Sequence, residues 1–135
     1  MKKFLMTLLV LAIAIVPLFS MVVMAYDYTN DKYFSTELPA AGANLRLTTS
    51  SKANSSIAYS KVKFSTKSEV NQGYVWVETT SGTMMSEKVY ILPDGNTRQM
   101  NYKDGTTFQN GATVCFYGEQ YNVAKKAVIG RAYPY

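Results

Sequence analysis

Chemistry in this chain would have to be done without histidine, because none of its 135 residues is one. That removes the side chain best suited to proton transfer near neutral pH, and with it the Ser–His–Asp and Cys–His arrangements. Cys115 is the single cysteine and stands between Val114 and Phe116, in apolar surroundings that favour an inert, buried thiol. A serine–lysine dyad needs the two residues on one helical face. The closest spacing, Ser65-Thr66-Lys67-Ser68, offers no such helix. Paired carboxylates for glycoside hydrolysis must face each other across a cleft, yet Asp94, Asp104 and Glu119 lie in or beside turns. The Asp-Gly pairs at 94–95 and 104–105 are isolated and do not build a calcium loop, and the eight glycines form no phosphate cradle. Asn54-Ser55-Ser56 fits a glycosylation acceptor, which matters only along a eukaryotic secretory route. The expectation is therefore a protein that is not an enzyme and uses neither metal nor cofactor. An extracellular hydrolase stands as a distant third reading.

The chain does hold an abundance of tyrosine. All 11 tyrosines follow residue 25, together with Trp76 and four phenylalanines. Tyrosine joins an apolar ring to a polar tip, so it suits a half-buried sheet face and a binding surface equally well. Six aromatics in strand-like segments are the candidate binding residues: Tyr74, Trp76, Tyr90, Tyr102, Tyr117 and Tyr121.

The elements that would position them read as strands. Leu45–Thr49 alternates apolar and polar residues. Ile57–Thr66 is rich in β-branched and aromatic residues, but its apolar parity switches near Ser60–Lys61, which predicts a bulge. Tyr74–Thr80 opens with both faces apolar, as a central strand does, with Trp76 in or near the core. Glu87–Leu92 and Thr97–Tyr102 flank Pro93-Asp94-Gly95-Asn96, a turn in which proline presets one corner and Asp-Gly tolerates a positive φ. Further turns fall at Asp104-Gly105 and Asn110-Gly111, and Ala112–Tyr117 alternates again. The last pattern, from about Tyr121 to Tyr133, fits helix or strand; its Val and Ile content and Gly130 favour strand. The fold class expected is all-β, an antiparallel sandwich or barrel of about seven short strands.

Ahead of these strands lies a leader. Met1-Lys2-Lys3 precedes an apolar run from Phe4 to Val16, Pro17 breaks it, and Val23-Met24-Ala25 supplies the short side chains of a cleavage site. Residues 1–25 are read as a signal peptide in preference to a retained anchor, 26–43 as a lead-in, and 44–135 as the β-rich domain. The 110 residues left after the leader suit one domain. Their 12 basic and nine acidic residues give a net charge of +3, scattered rather than dense, which argues against nucleic acid and for a weak preference for anionic surfaces. A single cysteine forms no intrachain disulfide, a pattern more bacterial than eukaryotic for an exported domain.

The function expected is that of a secreted, non-catalytic binding domain. It would act at an extracellular or cell-envelope surface on a wall, glycan or protein partner, without spanning a membrane. A bacteriocin-like antimicrobial or toxin effector is the alternative, with positive charge and aromatics meeting an anionic envelope.

Overall fold

The computed structural model describes residues 30–135 except residue 53, so the leader expected at 1–25 lies outside the described residues. Eight strands follow one another: β1 (Lys32–Leu38), β2 (Leu45–Ser51), β3 (Tyr59–Phe64), β4 (Gly73–Glu78), β5 (Val89–Tyr90), β6 (Thr97–Asn101), β7 (Thr113–Gln120) and β8 (Lys126–Tyr133). They pair antiparallel in two four-stranded sheets, ordered β1-β8-β3-β6 and β2-β7-β4-β5. The architecture is an all-β sandwich, and no α-helix occurs among the described residues.

Alternation builds the core. Val62 and Phe64 of β3, Val75 and Val77 of β4, Val114 and Phe116 of β7, and Val128 and Ala132 of β8 are fully buried between the sheets. Each large apolar side chain among them is worth roughly 1.5–3 kcal/mol for leaving water. The segment expected as a lead-in contributes β1, which pairs with β8 from Lys32↔Ala132 to Leu38↔Lys126. Phe34 and Leu38 anchor it in the core. That strand accounts for eight where about seven were expected.

The bulge predicted at Ser60–Lys61 does not form, because β3 keeps a continuous register with both β6 and β8. The apparent phase change arises because Ser60 is a polar residue on the inward face. Its hydroxyl bonds the Tyr102 hydroxyl at 2.6 Å, which removes the penalty of burying it. The register shift lies instead in β2, between Arg46 and Thr48.

The Pro93–Asn96 turn has the expected local chemistry, but it carries the chain from one sheet to the other and closes no hairpin, because β5 pairs with β4 and β6 with β3. Gly95 takes φ +74°, and the Asp94 carboxylate accepts from the Asn96 backbone N–H and from both arms of Arg98. The Arg98 fork holds the Asp94 carboxyl well below the usual carboxylate range.

Candidate functional site: the aromatic outer face of the second sheet

The register of β2-β7-β4-β5 sets the outward residues in rows. One row runs Tyr90, Tyr74, Glu119 across β5, β4 and β7. The next carries Trp76, Tyr117 and Arg46 across β4, β7 and β2. Strand period two explains the grouping: Tyr74 and Trp76 alternate with the buried Val75 and Val77, and Tyr117 and Glu119 alternate with Phe116 and Gly118.

The rings of the first row touch edge to face. Tyr74 meets Tyr90 at 5.1 Å between centroids and Tyr121, just past β7, at 6.2 Å. Tyr90 is 39% exposed and Tyr121 52%. Edge-to-face pairs of this kind are worth about 0.5–1.5 kcal/mol beyond their buried area, so the cluster is held before any ligand arrives.

Polar groups knit the rows together. Glu119 is nearly buried, and its Oε1 accepts from Lys88 Nζ at 2.6 Å and from the Tyr121 hydroxyl at 2.9 Å. The hydrogen bond to Glu119 holds the Tyr121 hydroxyl above its ordinary pKa, as the carboxylate opposes a second negative charge beside it. Lys88 Nζ also stands 4.4 Å from the centre of the Trp76 ring. Trp76 stacks on Tyr117 at 6.2 Å and donates its Nε1–H to Glu78 at 2.6 Å. Arg46 donates from Nε and Nη2 to the Tyr117 hydroxyl oxygen at 3.1 and 3.0 Å, which raises its own pKa.

Five of the six candidate aromatics therefore share one face: Tyr74, Trp76, Tyr90, Tyr117 and Tyr121. Trp76 is fully buried beneath that face, so its part is to support the surface rather than to touch a ligand. Tyr102 does not join them. It is a core residue, 6% exposed, packed edge-on against Phe108 at 5.3 Å. The parity of Met100 and Tyr102 in and just beyond β6 was the signal for that placement. Sequence reading missed Arg46, Lys88 and Glu119, which lie far apart in the chain and meet only through strand pairing.

The two carboxylates on this face, Glu78 and Glu119, are two rows apart. Each is already bonded, Glu78 to the Trp76 Nε1–H and Glu119 to Lys88 and the Tyr121 hydroxyl. Cys115 lies in the Glu78–Thr49 row and is buried. Among the described residues, no three acids or cysteines gather as metal ligands. No family model matches the chain, and no curated protein or solved structure matches it.

Proposed function

We propose that the chain is exported and works as a non-catalytic binding domain at an extracellular or cell-envelope surface, engaging a glycan through the outer face of β2-β7-β4-β5. The observation that carries this reading is the contiguous contact of Tyr90, Tyr74 and Tyr121 on a solvent-facing sheet. A contiguous exposed aromatic patch on a small domain marks an interaction surface more often than a single exposed ring does.

Chemistry favours a sugar over an apolar partner. Ring edges and faces suit the C–H surfaces of a pyranose, while the Tyr121 hydroxyl oxygen and the part-exposed Lys88 ammonium beside them offer an acceptor and a donor for hydroxyl groups. The cluster is prearranged, which lowers the ordering cost of binding.

Retention of the purified protein on insoluble cell-wall and polysaccharide resins tests the proposal. Retention should fall about tenfold or more when Tyr90→Ala and Tyr121→Ala are combined, since aromatic anchors carry most binding energy. Equal retention of parent and variant, or none of either, contradicts it. Growth inhibition by the purified protein, without retention, would favour the effector reading instead. Turnover of a hydrolase substrate that is lost on removing one acid would overturn the non-catalytic assignment.

A further inference from the structure

The opposite sheet carries a site of different character. A cavity of about 600 Å³ opens on the outer side of β1-β8-β3-β6, lined by Tyr33, Lys63, Thr66, Lys67, Arg131 and Tyr133 among others. A cross-strand row runs through it: Tyr33 pairs with Arg131, Arg131 with Lys63, and Lys63 with Thr97. Lys63 and Arg131 are thus like charges directly opposite each other, an arrangement that destabilises a sheet.

Two ordinary explanations for such charges do not apply. Lysine is common on edge strands, where it blocks unwanted pairing, but β8 and β3 are the two central strands of this sheet. A neighbouring carboxylate would neutralise them, yet no acid lines the cavity. Of the two ion pairs found among the described residues, Lys88–Glu119 lies on the other sheet, and Arg98–Asp94 closes on itself in the turn whose Gly95 lines the cavity.

The third cation is brought in by a local device. After β3 the chain turns, with the Ser68 N–H donating to the Ser65 carbonyl, and Ser68 Oγ then takes over the pairing with Ile129 of β8. The turn lifts Thr66 and Lys67 above the row at the cavity rim. Lys61, one row along, lies over the Tyr59 and Tyr135 rings and extends the positive field.

We propose that this cavity binds a phosphate ester carried on a sugar or polyol. Arg131 offers a planar fork that matches two phosphate oxygens, Lys63 on the neighbouring strand and Lys67 on the turn that follows it offer point charges, and Thr66 adds a hydroxyl. Tyr33, 65% exposed, and Tyr133 flank the cations with rings on which the carbon skeleton can rest. The volume falls within the range of about 300–1,000 Å³ typical of small-ligand sites. The proposal does not depend on the glycan face, which lies on the other sheet.

Titration of the ¹⁵N-labelled protein with glycerol 3-phosphate and glucose 6-phosphate, followed by amide chemical shifts, is the test. Shifts should concentrate at residues 63–67 and 129–133 and weaken steeply with added salt. Arg131→Gln should weaken binding about tenfold or more, and Arg131→Lys should recover only part, because the fork is lost. Lys63→Gln, at an exposed position, gives an independent check, and an otherwise unchanged amide spectrum confirms that each variant is folded. Shifts scattered over both sheets, or an affinity indifferent to Arg131→Gln and Lys63→Gln, would overturn the site. Inorganic phosphate binding as tightly as the esters, or an oligonucleotide binding more tightly, would overturn the polyol assignment.

Discussion

The ammonium of Lys88 lies over the indole of Trp76, 4.4 Å from the ring centre. The same nitrogen is bonded at 2.6 Å to Glu119, so one side chain both roofs the tryptophan and ties β7 to the segment leading into β5. Trp76 is consequently buried on the face of the sheet that points away from the core. The exposed tyrosines beside it stand on a second, smaller packed layer.

Removing that roof should be visible directly. Lys88→Ala is expected to red-shift the emission of Trp76, the single tryptophan, by admitting water to the ring. The stability lost should be about 1–3 kcal/mol, from a cation–π contact of ~0.5–2 kcal/mol and from the nearly buried Glu119 carboxylate left without its cation. Fluorescence and denaturant unfolding together check it. An unchanged emission maximum would show that the lysine does not shield the indole.

Lys52 and Tyr102 set a pH dependence with two opposing arms. The Lys52 ammonium is buried and donates to the backbone carbonyls of Ile57, Tyr59 and Pro134 at 2.7, 3.2 and 3.1 Å. Burial pushes its pKa down to about 8 from 10.5, and burial pushes the Tyr102 hydroxyl up to about 12 from 10.0. Below pH 8 both folded and unfolded chains hold the lysine proton, and the burial penalty is present in full. Between about 8 and 10.5 the unfolded chain keeps a proton that the folded chain has lost, so this group makes stability rise with pH. Between about 10 and 12 the unfolded tyrosine ionises first, so Tyr102 makes stability fall. Thermal unfolding should therefore show Tm climbing from pH 8 to about 10 and dropping beyond it. In Lys52→Met the climb should vanish, and three unpaired carbonyls should cost about 1–3 kcal/mol.

Gly130 sits where β8 has no room for a side chain. A Cβ there would meet the Lys63 carbonyl oxygen at 2.5 Å and the Phe34 ring at 2.6 Å. Backbone of a central strand and a core aromatic cannot both retreat. Gly130→Ala is expected to cost about 1–3 kcal/mol by overpacking, measured as a lower denaturation midpoint at unchanged m-value. A neutral or stabilising effect would mean that β1 and β8 are held less tightly than their register implies.

Features fixed by neighbours in the chain were legible in the sequence. Val75 and Val77 alternate with Tyr74 and Trp76 in a run apolar on both faces, which marks β4 as a central strand, as it is in β2-β7-β4-β5. Gly95 and Gly111, at φ +74° and +77°, turn the chain just ahead of β6 and β7, where Asp-Gly and Asn-Gly say they should. Features fixed by partners were not legible. β1 carries only Phe34 and Leu38 inward amid polar residues, so its strand character rests on pairing with β8. Ser60 broke the alternation of β3 because its hydroxyl is satisfied by a residue from β6's far end. The basic residues look scattered along the chain because Lys63 and Arg131 meet only across a strand pair. Of the aromatics, Tyr102 went astray although Met100 two residues earlier shares its buried face.

The glycan face is tested most directly by the tyrosine rings themselves. In a titration with neutral oligosaccharides released from a retained polysaccharide, ¹H–¹³C spectra should show the ring signals of Tyr90, Tyr74 and Tyr121 moving together and saturating. Those of Tyr59 and Tyr33, on the opposite sheet, should stay in place. Signals that move on the opposite sheet while the Tyr90–Tyr74–Tyr121 cluster stays still would contradict the account.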